Sequence, residues 1–506
     1  MQKKKMTETI VIKKKDHSFL QIETDAGVAR ELSDYFSFFV EGYRFMPNFR
    51  NKMWDGKIRL YNSRSNQIYT GLFNAIVEFA KSRGYKVNAV EDEEYGYPDS
   101  VDASHDVVEF IKNELTLTSK GQLITPRDYQ LNGIIHALTN RTGVLLSPTA
   151  SGKSLIIYIL LRYFLHHYDK KVLIIVPTTS LVEQMYGDFN DYSSQDDGFN
   201  ETDVHKIYGG ADRHKIKPRV VVSTWQSIHR MGADWFNEYG MIIGDECHGF
   251  KAKSLTNILE KCTEAPYRIG CTGTLDGSSV HQLVLEGLFG PVYKVTTTKK
   301  LIDGGALAEL DISLILLKYG DDYRKAVAKA TYQQEVDFLV SHHPRNKFIT
   351  NLACDQKGNT LVLFQYVERH GKVLYDAIKT KSKHPVYYIS GETDTIVREQ
   401  IRHVVESNEN SIIVASMGTF STGINIVNLH NIIFASPSKS QIRVLQSIGR
   451  GLRKSANGEP TKVFDIADDL CWKKKHNYTF SHCGERIKIY SKEQFNYNIY
   501  PVDLKT

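Results

Sequence analysis

Short, wholly apolar runs that alternate with helix-length segments constrain this chain more than any other feature. A strand buried on both faces reads as an unbroken apolar run, and parallel strands need a crossover between them, usually a helix. Such runs fall at Gly143 to Leu146, Val172 to Val176, Val220 to Ser223, Met241 to Ile243 and Tyr267 to Gly270. A second series falls at Leu314 to Leu317, Thr360 to Phe364, Val386 to Ile389, Ser411 to Ala415, Asn431 to Ala435 and Val463 to Ile466. The pattern predicts two α/β lobes, each a parallel sheet covered by helices, which together amount to one large duplication.

The N-terminal part reads differently. Short strands are expected at Thr9 to Val11 and Phe19 to Ile22, a helix from about Val28 to Phe39, a strand at Lys57 to Tyr61 and a helix from Gly71 to Arg83. This is a small α+β module. Residues 91–106 are dense in acid with Gly, Pro and Ser, the composition of a solvated connector. The expected organisation is therefore a nucleic-acid-binding module over 1–90, an acidic linker over 91–106, a first lobe over 107–305, a second over 306–470 and a basic extension over 471–506.

With 41% hydrophobic and 24% charged residues, the chain has ample apolar material for real cores and disorder is excluded as a default. The net charge of +6 says little, but its distribution says more. Residues 1–75 carry 13 basic against 8 acidic side chains, and 441–506 carry 12 against 7, so both ends suit an anionic partner. The 6 cysteines include no CxxC pair, which points to reduced structural thiols rather than zinc or a redox dithiol. The most apolar stretch, Leu155 to Leu165, is interrupted by Arg162 and falls far short of the roughly 20 residues that span a bilayer. No membrane partner is expected, and the cytoplasm is the expected compartment, the host's if the chain is phage-encoded.

The chemistry-bearing residues follow the strands. Ser147-Pro-Thr-Ala-Ser-Gly-Lys-Ser154 lies between a strand and a helix, where successive N–H groups and the helix start can cradle phosphates. Thr149, Ala150, Ser151 and Gly152 form the turn, Lys153 neutralises the β/γ oxygens, and the Ser154 hydroxyl suits Mg2+. The strand Met241 to Ile243 runs into Asp245-Glu246-Cys247-His248, which places two carboxylates at the carboxyl end of a sheet strand, where α/β ligands bind. Asp245 can hold the Mg2+, and Glu246 can orient and deprotonate an attacking water. Gln446-Ser-Ile-Gly-Arg450-Gly-Leu-Arg453 carries two arginines three apart on one helix face, so both can reach a γ-phosphate across a lobe interface.

These residues resemble the motifs of the superfamily 2 helicases of the DExH type. In that likeness Lys153 belongs to motif I, Asp245 to His248 to motif II, and Gln446, Arg450 and Arg453 to motif VI. Arg127-Asp-Tyr-Gln130 resembles the adenine-reading segment, although a Gln at a helix start also serves as a cap. A glycine is usual where Ala150 stands, so backbone angles compatible with a Cβ are expected there. Thr272-Gly-Thr274 resembles motif III, which with His248 would couple the ATP site to the nucleic-acid site. Gly423 and Asn425 match the close of motif V, and Thr360 to Gln365 matches only the strand of motif IV. Pro177 and Thr178 resemble motif Ia, Gly209 motif Ib and Thr224 motif Ic, which imply phosphate contacts; an ordinary helix cap explains each hydroxyl as well.

Upstream, the segment Arg44 to Tyr61 interleaves basic and aromatic residues, with Arg50, Lys52 and Trp54 suited to phosphate contact and base stacking or to a duplex-splitting wedge. A Trp-Asp-Gly turn with Trp54 packed in the core is the plainer reading of the same residues. With the helicase motifs, this segment resembles the UvsW-like phage recombination helicases along essentially the whole chain, with a role like that of RecG. The resemblance implies ATP and Mg2+ as cofactors and a monomeric, ATP-hydrolysing motor that moves 3′ to 5′. Its implied partner is DNA, as branched duplex, single strand and RNA–DNA hybrid, with strand annealing besides. An RNA helicase and an ATP-independent annealing or junction-binding protein are the readings that the motifs alone leave open.

Overall fold

The computed structural model describes residues 8–40, 42–90, 103–275, 279–423, 426, 428–436 and 460–504. Two compact units result, one made of Met1–Ser147 with Gly152–Val295, the other of Thr296–Thr506 with Pro148–Ser151. They divide at Val295, earlier than the boundary expected after residue 305.

In the first unit a seven-stranded sheet runs, in spatial order, Val204–Ile207, Val220–Thr224, Lys171–Val176, Tyr239–Asp245, Tyr267–Thr272, Thr142–Leu146 and Val292–Lys294. Every pairing is parallel. The central strand Tyr239–Asp245 is buried at all seven positions, which explains its unbroken apolar run. The second unit repeats the arrangement with Val386–Ile389, Ile412–Ser416, Thr360–Phe364, Asn431–Phe434, Thr461–Asp469, Leu310–Lys318 and Tyr497–Asp503, again all parallel. Numbered within each lobe, both sheets have the order 3-4-2-5-6-1-7, so the duplication expected from the apolar runs is present strand for strand.

That repeat redefines the segment 471–506. Rather than an extension, it holds the helix Tyr478–Lys492 and the strand Tyr497–Asp503, the counterpart of Val292–Lys294 in the first lobe. The helix is fastened by Arg486, whose guanidinium donates to Asp465 at 2.7 to 3.0 Å, and by the Tyr490 hydroxyl on the same carboxylate at 2.8 Å. All three groups are buried, and the close carboxylate is what lets the guanidinium be enclosed, although its Nη1 has no partner.

The N-terminal module folds as a mixed four-stranded sheet in the order Gln67–Tyr69, Phe19–Glu23, Thr9–Lys14, Lys86–Ala89. The helix expected over Val28 to Phe39 spans Ala26–Tyr35, capped by Asp25, and Ser37–Phe39 pairs instead as a strand with Lys57–Arg59. The physical reason is local: the aromatic run Phe36-Ser-Phe-Phe39 packs better on a pleated surface than on a helix whose last turn already ends at Phe36. Of the linker 91–106, residues 91–102 lie outside the described residues, and the helix Ser104–Glu114 already begins within it.

The module is not a separate globule. Its core residues Ile10, Leu20, Leu32, Ile76 and Phe79 belong to the same apolar cluster as Leu259, Leu285 and Phe289 of the lobe. Gly71 fits against the carbonyl of Glu286 so closely that a Cβ would overlap it, and across the seam Gly287 leaves room for the Tyr69 ring. The Tyr69 hydroxyl then donates to Glu260 Oε1 at 2.7 Å. Gly71→Ala should therefore push module and lobe apart and cost about 2 kcal/mol or more, as overpacking against backbone does. Gly187→Ala, in the helix Thr179–Tyr192 with open space around the added methyl, should raise stability by up to about 1 kcal/mol. Thermal unfolding of the pair checks this; equal melting temperatures would contradict the tight seam.

Candidate nucleotide site

The strand Thr142–Leu146 ends in Ser147, whose N–H donates to Thr272 O at 2.9 Å, and the chain then turns into the helix Lys153–His167. Within the turn, the Ser151 N–H and hydroxyl both point back to Pro148 O, at 3.2 and 2.6 Å. Gly152 has φ +81° and Ala150 φ +63°. The expectation for Ala150 is thus corrected: the alanine keeps the left-handed backbone that glycine adopts, at a strain of roughly 1 kcal/mol, because the loop shape outweighs the residue's preference.

Gln130 fills the capping role and sits beside the phosphate turn. Its Oε1 accepts the Arg127 N–H at 2.9 Å as a helix cap, and its Nε2 lies so close to Gly152 that a side chain there would collide with it. Gln130 is 5% exposed, so the adenine-reading candidate abuts the phosphate turn.

Lys153 reaches across to the end of the strand Tyr239–Asp245, where its Nζ donates to Glu246 Oε1 at 3.0 Å. The two side chains are 16% and 23% exposed. Burial opposes the Lys153 charge, but Glu246 and Asp245 more than offset it and hold its pKa above the ordinary value. For Asp245 burial dominates, and Glu246 adds to it, so its pKa is raised despite Lys153. Burial would raise Glu246 too, but Lys153 and His248 hold it well below the usual carboxylate range. One carboxylate is thus firmly ionised beside the lysine while its neighbour is not, a division of pKa values found where a site is built for chemistry.

Glu246 itself has φ +49°, a left-handed conformation costly for a residue with a Cβ. The strain turns its carboxylate back toward Lys153 and into a network. His248 Nδ1 lies 3.3 Å from Glu246 Oε2 and 3.0 Å from Thr272 Oγ1, and the Thr272 hydroxyl donates to Thr274 O at 3.0 Å. The motif II histidine and the motif III threonines are therefore in contact with the acid pair.

The site also fits Mg2+. Asp245 Oδ1 is buried and has no hydrogen-bond partner among the described residues, so it is an oxygen ready for a hard cation. Ser154 Oγ, the second expected ligand, is bonded to the Tyr192 hydroxyl at 2.9 Å. Tyr192 lies 38 positions away from Ser154, and no local pattern in the sequence marks it.

Other expectations fall apart from this cluster. Thr178 caps the helix Thr179–Tyr192 by accepting the Leu181 N–H at 3.3 Å, and Thr224 is buried with its hydroxyl 2.9 Å from Ser227 Oγ. The Pro177 carbonyl accepts from Gln226 at 3.4 Å, and Gly209, φ +60°, forms an exposed turn. Trp54 is half-buried rather than packed in the core, with Nε1 donating to Lys57 O at 2.8 Å, while Arg50 and Lys52 are exposed. Near them Phe45 and Met53, which the sequence reading did not single out, are 86% and 78% exposed. Gly423 ends the helix Met417–Gly423; Asn425, Gln446, Arg450 and Arg453 lie outside the described residues.

Two RecA-like parallel lobes, a phosphate turn on the first and an Asp-Glu-Cys-His strand end beside it define a superfamily 2 helicase of the DExH type. The family model for the N-terminal part of the DNA helicase UvsW matches residues 9–90. Those for the res subunit of type III restriction enzymes and for the helicase conserved C-terminal domain match 123–277 and 344–455. The ATP-dependent DNA helicase uvsW of Enterobacteria phage T4 is 37% identical over 505 residues, 97% of this chain and 98% of that protein. The crystal structure of T4 UvsW covers 98% of this chain and 100% of its own at 35% identity, with a TM-score of 0.51. The DNA 3′-5′ translocase XPB2 of Sulfurisphaera tokodaii is 24% identical over 366 residues, 65% of this chain and 78% of that one. The chain belongs to the UvsW family of helicases.

Lys153→Met keeps the aliphatic stem but leaves two adjacent buried carboxylates without their cation. The nucleotide-free variant should lose about 3 kcal/mol, near the low end for breaking a buried pair because the site is partly open. Asp245, already raised, rises further, and a carboxyl raised above its unfolded value stabilises the fold at low pH and loses that contribution as pH climbs through its folded pKa. The melting deficit of the variant in metal-free buffer should thus widen between roughly pH 5 and pH 8; a deficit that narrows would contradict this charge arrangement.

Proposed function

We propose that this protein is an ATP-driven DNA helicase that remodels branched DNA, acting as a monomer in the cytoplasm. The observation that carries the reading is the Lys153–Glu246–Asp245 cluster at the carboxyl edge of the first sheet, in a chain whose kinship with a phage DNA helicase runs from the N-terminal module to the last strand.

Each residue then has a task. Backbone N–H groups of Thr149 to Gly152 and the helix start face the phosphates, Lys153 moves from Glu246 to the β/γ oxygens, and Gln130 with Arg127 reads the base. Released from Lys153, Glu246 orients the water and takes its proton. Ser154 and Asp245 would hold Mg2+, which would supply neutralising charge to the triphosphate. By their motifs, Arg450 and Arg453 are assigned as donors to the transferring phosphoryl group, Gln446 to coupling, and Gly423 and Asn425 to nucleotide binding. His248, Thr272 and Thr274 carry the state of Glu246 away from the nucleotide through the hydrogen bonds described above.

The track is DNA: branched duplex, single strand and, by the same grip, RNA–DNA hybrid, with strand annealing besides. Pro177, Thr178, Gly209 and Thr224 contribute to the phosphate path of the first lobe. Movement is 3′ to 5′, the direction in the name of the XPB2 relative. In the module, Arg44, Arg50, Lys52 and Lys57 lie close in sequence to Phe45 and Met53, whose exposure supports a role in base stacking or fork splitting. The match of residues 9–90 to a DNA-helicase module favours DNA over RNA as the substrate. Among the described residues no helix is long and apolar enough to cross a membrane.

Steady-state ATPase assays should show stronger stimulation by forked DNA than by linear duplex, and little by an RNA fork of the same sequence. Glu246→Gln should keep ATP binding while turnover falls by about 100-fold or more, the usual loss of a general base. Phe45→Ser with Met53→Ser should slow unwinding more than hydrolysis. Equal turnover with and without forked DNA would refute the helicase reading.

A further inference from the structure

Arg268 opens the strand Tyr267–Thr272 and is 2% exposed. Its Nη1 donates to His17 O and Ser18 Oγ at 2.8 and 2.7 Å, and its Nη2 to Leu259 O at 2.8 Å. Its Nε is buried without a partner, and among the described residues no carboxylate lies within ion-pair distance of the guanidinium. The other deeply buried arginines differ. Arg345 sits on Asp468 at 2.8 Å and Arg486 on Asp465 at 2.7 Å, so this fold supplies a counter-ion wherever else it buries the group. An enclosed charge without an opposite charge is unfavourable, and an anion within reach relieves it.

Such a place exists beside it. A shallow crevice, open to solvent, lies on the seam between module and lobe, and its lining includes Arg268, Lys14, Arg141, Thr70 and Thr142. His17, also on its wall, has its pKa drawn down to about 4 by burial and then by Lys14, Arg268, Lys170 and Arg141, so four cations converge on one spot. The crevice lies at the amino ends of the strands, the edge of the sheet opposite to Lys153 and Asp245.

We propose that this crevice binds phosphate, and specifically a backbone phosphate of a DNA strand crossing the seam between the N-terminal module and the first lobe. The proposal rests on the DNA-helicase reading but concerns a surface that none of the helicase motifs touches. Lys14 and Arg141 supply charge-assisted donors, contacts that fix a phosphodiester without reading its base, while the hydroxyls of Thr70 and Thr142 donate to the Asp16 and Asn140 carbonyls at 3.5 and 3.4 Å. Buried Arg268 acts through the field, with its Nη groups already engaged on His17 and Ser18 of the module and on Leu259 of the lobe.

The test is the salt dependence of binding by the full-length chain, with Lys14→Gln combined with Arg141→Asn, since asparagine tolerates the left-handed φ of +59° at that position. Each lost phosphate contact should flatten the slope of log affinity against log salt by about 0.9. The double variant should therefore bind forked DNA with a slope shallower by roughly 1 and with about tenfold lower affinity near 0.1 M salt, and each single variant should show part of the change. A structural role alone lowers the melting temperature without moving the slope, so an unchanged slope overturns the proposal. Inorganic phosphate distinguishes the source: if it raises the melting temperature of the natural protein but not of the variant, while the fork slopes coincide, the site takes free anions and the DNA assignment is wrong. Loss of fork-stimulated ATPase in the natural protein would instead fell the helicase reading.

Discussion

A buried ammonium shared by two carboxylates organises the first lobe. Lys153, Glu246 and Asp245 sit where solvent screens them poorly, so each depends on the others to stay charged or to remain neutral. Holding them in register needs a stiff support, which the wholly buried strand Tyr239–Asp245 and its parallel neighbours provide. Two strained residues, Ala150 and Glu246, flank the cluster, and the sheet outweighs the cost of both. One Glu246 oxygen accepts from Lys153, and the other lies 3.3 Å from His248 Nδ1 and 3.5 Å from Thr272 Oγ1.

The seam of the first unit follows a different logic. Glycines at 71 and 287 let backbone meet side chain and backbone without a gap, and a common apolar cluster runs through both parts. The module is thereby a fixed attachment of the first lobe. Near exposed Phe45 and Met53, the Tyr43 ring stacks on Phe39 and meets Phe49 edge-on. Apolar side chains kept in water are disfavoured unless something covers them.

Much of this was legible in the sequence, for physical reasons that also explain the gaps. Strands buried on both faces, such as Val172–Val176 and Thr360–Phe364 among the expected runs, announce themselves as apolar stretches. The edge strands Val204–Ile207, Val292–Lys294 and Tyr497–Asp503 bury one face or less, and their mixed composition hid them. Lys153, Asp245, Glu246 and His248 could be placed together because motif spacing encodes the loop ends of a parallel sheet. Tyr192, Arg268 and the glycines of the seam could not, since their roles arise from contacts between segments distant in sequence. Thr178 and Thr224 show the converse, hydroxyls at motif positions that in this conformation make ordinary local bonds, a helix cap for Thr178 and a bond to the Ser227 hydroxyl for Thr224.

The central claim is that Lys153 is a phosphate ligand waiting on Glu246. A crystal structure of the full chain with Mg2+ and a non-hydrolysable ATP analogue tests it most directly. The account requires Lys153 Nζ within hydrogen-bond distance of the β/γ oxygens, Asp245 and Ser154 turned to the metal, and Glu246 released toward a water. A Lys153–Glu246 bond that persists beside bound nucleotide, or nucleotide seated away from the turn of Thr149 to Ser154, would contradict it.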